Sequence, residues 1–188
     1  MKRKEFIKRS ALLYTALQFP IQSESKQDED KSTPTKESPW LEADDLADIR
    51  VLLVGLQSDP KGIQIVGNWS PGKVFAHCAQ SIEFSLNGYP EMKSSLFRGS
   101  IGKIAFSVFA FKNKMSHGLE EPIPGAEEIS NATELKAGIT RLIKAIDDFF
   151  KTKESSLRPH FAYGELTKEE YDVAHCLHIK NHMERVLL

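Results

Sequence analysis

The stretch Thr167-Lys-Glu-Glu-Tyr-Asp-Val-Ala-His175-Cys-Leu-His178-Ile-Lys-Asn-His182-Met-Glu-Arg185 decides how the chain is read. Thr167 with Glu170 three residues on is the reciprocal pair that satisfies free N–H groups in a helix's first turn. No Pro or Gly follows, which predicts a helix running from this cap toward Leu188. At about 100° per residue, Tyr171, His175, His178 and His182 fall within an arc of roughly 60°. Three of the six histidines therefore share one helix face. His178 and His182, four apart, can offer two nitrogens to one metal ion, and His175/His178 is the less well spaced alternative. His175 and His182 lie about 10 Å apart along the axis, too far to share an ion with bonds near 2 Å. The bland alternative is a row of surface or hydrogen-bonded core histidines. A third ligand from elsewhere in the chain decides between the two.

Working outward, Pro159-His160-Phe161-Ala162-Tyr163-Gly164 reads as a turn into that helix, and Lys151 to Pro159 as linker. Before it, Leu135, Ile139, Leu142, Ile143, Ile146, Phe149 and Phe150 recur at helical spacing, with Asn131 and Glu134 as a start resembling a capping box. Gly118 to Ser130, with Pro122 and Pro124, is loop. Ser100 to Ser116 is aromatic-rich and apolar on several sides, which predicts a shorter helix lying across the others or covering a cavity. Ser70-Pro71 is an N-cap followed by proline at the first helical position. Behind it Val74, Phe75, Cys78, Ala79, Ile82 and Leu86 mark a helix closed by Asn87-Gly88-Tyr89-Pro90, with His77 beside the apolar stripe. Leu46, Ile49, Leu53 and Leu56 predict a further helix between Glu42 and Asp59, ended by Pro60 and Gly62. No strand alternation, internal repeat or glycine-rich phosphate loop is present. Four long amphipathic helices predict an all-α bundle with an extra shorter helix.

The remaining features bound the class. A length of 188 residues, 40% of them hydrophobic, suffices for one domain with a buried core. A net charge of −1 gives no electrostatic footprint for nucleic acid. No run of about 20 apolar residues exists to span a membrane. Cys78 and Cys176 sit in apolar helical stretches and read as small core residues, with a disulfide between them as the alternative in an exported chain. Residues 1–21 are basic and then mildly apolar, the layout of an export signal. Arg3-Lys4-Glu5-Phe6-Ile7-Lys8 resembles a twin-arginine signal in which Lys4 stands in place of the second arginine. Residues 22–39 contain no apolar side chain and predict a disordered polar linker, so the folded domain is expected over 40–188. A periplasmic or otherwise exported protein is expected, against the alternative of a cytoplasmic chain with a basic N-terminal helix.

Three blocks carry a family resemblance: Asn68-Trp69-Ser70 with Val74 to Glu83 and Asn87 to Pro90; Ile123-Pro124-Gly125-Ala126; and Pro159 to Leu166 with Ala174 to His182. From about Trp40 to the end, the chain resembles the DinB-like superfamily of four-helix bundles, and within it a bacterial family of unknown function. The resemblance implies a divalent metal, zinc or nickel, held by His77, His178 and His182. It leaves His175 and His160 as catalytic or substrate-side candidates. Relatives often carry a further histidine where this chain has Asn181. Three imidazoles on an ion that takes four ligands leave one position open, where water or a thiol becomes more acidic. The implied activities are those of thiol S-transferase-like or hydrolase-like metalloenzymes acting on a small molecule, with His175 or Glu83 placed to move protons. A non-enzymatic metal-binding or structural bundle is the alternative, and Glu83 is otherwise a solvated helix residue. A homodimer is a further partner that such bundles allow.

Overall fold

The computed structural model describes residues 38–60 and 63–187. The expected export signal and most of the expected polar linker lie outside these residues. In chain order the elements are α1 (Pro39–Glu42), α2 (Leu46–Ser58), β1 (Gln64–Ile65), α3 (Pro71–Asn87), α4 (Ser95–Gly99), α5 (Ile101–Lys112), α6 (Leu135–Lys151), a 3-10 turn (Glu154–Ser156), α7 (Lys168–Met183) and β2 (Val186–Leu187).

The caps lie where local chemistry places them. The Asp45 side chain accepts from the Asp48 N–H, and the Ser70 hydroxyl from the Lys73 N–H. Both halves of the Thr167/Glu170 capping box are formed. Helix α3 stops at Gly88, whose φ of 103° is costly for any residue with a Cβ. Each of α2 and α3 packs on both α6 and α7, so the four long helices close into a ring. Leu46, Ile49 and Leu53 of α2, Phe75 and Ile82 of α3, Ile139, Leu142 and Ile146 of α6, and Tyr171 and Ile179 of α7 form one buried core. The backbones of α3 and α6 approach closely at two glycines. A Cβ on Gly138 would overlap the Gly72 carbonyl oxygen, and one on Gly72 would overlap the Thr133 carbonyl oxygen.

Three local expectations are corrected. Asn131 does not cap α6, whose N-cap is Glu134 without a side-chain bond. Its side chain instead accepts from the Ser70 N–H at 2.6 Å and donates to the Asn68 carbonyl at 3.1 Å, latching the loop to the start of α3. The apolar segment begins earlier than Ser100 and is broken there, giving α4 and α5. Its inner face buries Phe106 and Ala110, whereas Leu96, Ile101, Ile104 and Phe111 remain exposed. Helix α7 stops at Met183 rather than continuing, because Val186–Leu187 turns back to pair antiparallel with Gln64–Ile65. Such a two-residue pairing is too short to carry an alternation signal. Cys78 and Cys176 are both buried and are not bridged, as expected of core residues. No described helix is long and apolar enough to cross a membrane.

Candidate metal centre

Three predicted ligands converge although two distant segments supply them. His77 comes from α3, and His178 and His182 from one face of α7. All three are buried, and their ligating atoms lie within 4.8 Å of one another. The Nε2 atoms of His178 and His182 are 3.1 Å apart. Ring centres are separated by 5.2 Å (His77–His178), 5.0 Å (His77–His182) and 4.9 Å (His178–His182). With bonds of about 2.05 Å, imidazoles around one tetrahedral ion put their donor atoms about 3.3 Å apart and their ring centres about 5.2 Å apart. The ring centres and the His178–His182 nitrogens match this spacing, and the three donor atoms together are near enough for one ion to gather them.

The electrostatics agree with the geometry. Burial, then the neighbouring His117 and Lys73, lower His77 to about 4. Burial first and neighbouring histidines second hold His178 and His182 well below the usual histidine range. At neutral pH all three rings are therefore uncharged, the form that ligates a metal. Trp69 walls the cluster, edge-on to His77 at 5.0 Å and stacked over His182 at 6.4 Å. Lys73 lies 4.8 Å above the Trp69 ring. Asn68, beside it, binds Glu120 through its backbone N–H at 2.6 Å and its side-chain amide at 2.8 Å. The Asn68-Trp69-Ser70 block thus fastens the long α5–α6 loop beside the histidines.

The cluster borders a cavity of about 240 Å³ lined by His77, His117, His160, His175 and His178 among others. His182 touches His178, so all six histidines of the chain belong to this one region. His175 stays outside the triad, as the helical rise requires. It stacks on Tyr171 at 5.3 Å and meets Phe149 edge-on at 5.8 Å. Burial lowers it to about 3, and its buried Nε2 has no hydrogen-bond partner among the described residues. His160 sits in the predicted turn, closed by paired backbone bonds with Gly164. Its Nδ1 accepts from the backbone N–H groups of Ala162 and Tyr163, both at 3.1 Å, which puts the proton of the neutral ring on Nε2.

Glu83 is half-buried in an ion pair and stands away from the cavity. Both its oxygens accept from Arg141, at 2.9 and 2.7 Å, tying α3 to α6, and it does not line the cavity. His117 is the site residue the sequence reading missed. It lies in the loop after α5, where no periodicity or cap marks it, and only the folded chain brings it to the cluster.

Fold and site together define an all-α protein with a buried three-histidine cluster placed to bind a metal ion. The chain belongs to a family of proteins of unknown function, DUF1569, whose family model matches residues 16–187. No curated protein and no solved structure matches it.

Proposed function

We propose that this chain is a DinB-like, divalent-metal-dependent protein that binds and transforms a small molecule, with His77, His178 and His182 as the metal ligands. The observation that carries the reading is the cavity. A purely structural metal site is closed by protein, whereas this cluster borders a space lined by two of its own ligands and three further histidines. A zinc or nickel ion held there would act as a Lewis acid and make a bound water or thiol more acidic.

The chain's own groups have separable tasks. Burial keeps the three ligands neutral. Met115, Ile123 and Phe161 give the cavity an apolar wall that limits water, and Lys93 adds a positive charge at its lining. His175 offers a buried nitrogen with no partner among the described residues, a group that orients a bound molecule or exchanges a proton with it. His160, its Nδ1 occupied by backbone donors, presents Nε2–H as a donor. This supports a thiol S-transferase-like or hydrolase-like reaction on a small electrophile. Export is part of the same reading and rests on residues 1–21.

A second reading, a non-enzymatic ion pinning α3 to α7, is favoured by how little of the three ligands is exposed (2–8%). One experiment separates them. Protein purified without chelator should contain a stoichiometric divalent ion that His77→Ala, His178→Ala and His182→Ala each deplete. Azide or a small thiol should then perturb the spectrum of the cobalt-substituted protein. An ion that ignores both additives sinks the enzymatic reading, and metal content unchanged in all three variants sinks metal binding altogether.

A further inference from the structure

We infer that His117 is a fourth, displaceable nitrogen ligand that covers the coordination position a small molecule would take. This rests on the metal reading of the same cluster and adds a device to it. The ring of His117 lies 4.8 Å from that of His178 and 5.2 Å from that of His182, centre to centre. These separations are close to those within the triad, 4.9 to 5.2 Å, whereas His117 stands outside the group of donor atoms within 4.8 Å of one another, so its ring takes the fourth position by swinging inward toward His77. The ring separations are also close to the spacing of about 5.2 Å for imidazoles around one tetrahedral ion. A histidine on the surface for solubility alone has no reason to stand at ligand spacing from two ligands at once.

The backbone holds it there. The His117 N–H donates to the Asn181 side-chain oxygen at 3.3 Å, and Asn181 lies on α7 between His178 and His182. The helix that supplies two ligands therefore also anchors the backbone that carries the His117 ring. On either side the loop is fastened, by the buried Met115 before and by Glu120, bound to Asn68, after.

His117 differs from the triad in what its release would cost. The triad is buried on packed helices, so withdrawing any of its rings would open the core. His117 is exposed and sits in a loop. It can leave with the loss of one backbone hydrogen bond and its ring contacts to His178 and His182. Its ring also lines the cavity, so its departure would join the vacated position to the space where a substrate fits. The protein then carries its own competitor: His117 guards the ion until a ligand displaces it.

The full chain loaded with cobalt(II) tests this. His178→Ala should lose the ion. His117→Ala should keep it, but with an altered visible spectrum before any additive is present. If His117 occupies the position nine-tenths of the time, removing it should tighten azide binding about tenfold. His117→Gln should behave like the alanine variant and guards against a loop that collapses on truncation. Asn181→Ala should shift azide affinity in the same direction by less. A cobalt spectrum and azide affinity unchanged in both His117 variants, with the ion retained, would overturn the inference and leave the three-histidine site standing. A wild-type chain that takes up no cobalt, or a His178→Ala variant that keeps it, would remove both.

Discussion

Helix α3 meets two neighbours of opposite character. Toward α6 it presents Gly72, and the contact is closed by backbone proximity and one bidentate Arg141–Glu83 pair. Toward α7 it presents His77, which meets His178 and His182 with ring edges and lone pairs. The first interface is complete as folded, because these contacts need no additional partner. The second places uncharged nitrogens in a buried site, where polar groups are costly unless satisfied, and so gains from a ligand. One face holds the bundle together and the other uses the bundle's rigidity to preset a coordination geometry.

The contrast can be broken most sharply at the glycines. Gly72→Ala should cost about 3 kcal/mol, the upper end for overpacking, since the added Cβ meets backbone rather than a movable side chain. The loss, read from denaturant midpoints, should be the same with and without metal. A metal-dependent loss would mean that the two faces of α3 are coupled.

The histidine face should show the reverse. At a metal concentration of about 100 times Kd, wild-type protein should gain about 2.7 kcal/mol over the apo form. His178→Ala should gain nothing measurable from the metal, whatever its own apo midpoint. Equal metal stabilisation of both proteins would erase the distinction.

Acid sharpens it further in the apo protein. His77 and His175 are lowered by burial to about 4 and about 3, whereas in the unfolded chain both titrate near 6.5. Above 6.5 neither state binds these protons, and stability is unaffected. As pH falls below 6.5 the unfolded chain takes up protons that the folded one refuses. Stability then drops by about 1.4 kcal/mol per pH unit for each such histidine, levelling off only near pH 4 and 3. Urea midpoints that stay flat between pH 7 and 5 would show that these rings are not held neutral by the fold.

The smallest effect belongs to the polar tie on the α6 side. Arg141 and Glu83 are both partly exposed, at 40% and 31% of their side chains. Arg141→Gln should therefore cost less than about 1 kcal/mol and leave metal content untouched. A larger loss would place that pair among the main supports of the α3–α6 contact.

How much could be read in advance differs between these regions for a physical reason. The caps of α3 and α7 were legible because Ser70-Pro71 and Thr167/Glu170 act within a few residues of themselves. The shared face of His178 and His182 follows from helical periodicity alone. Asn131 misled because its side chain was read as a local cap, when its partners lie in a segment about 60 residues away in the chain. Glu83 could not be placed because its surroundings depend on which helix lies opposite. His117 gave no signal at all, since a lone histidine in a loop looks the same at the surface and at a metal.

By itself the sequence determined four amphipathic helices, the starts of α3 and α7, the burial of Cys78 and Cys176, and a pair of nitrogens four residues apart on the last helix. Those features arise from interactions between near neighbours and from a hydrophobic pattern that repeats along the chain. Only the tertiary structure decided that His77 faces that pair, that His117 stands beside it and that all six histidines surround one region. Convergence of this kind depends on the angle and register at which helices pack, which are set by contacts between residues far apart in the chain.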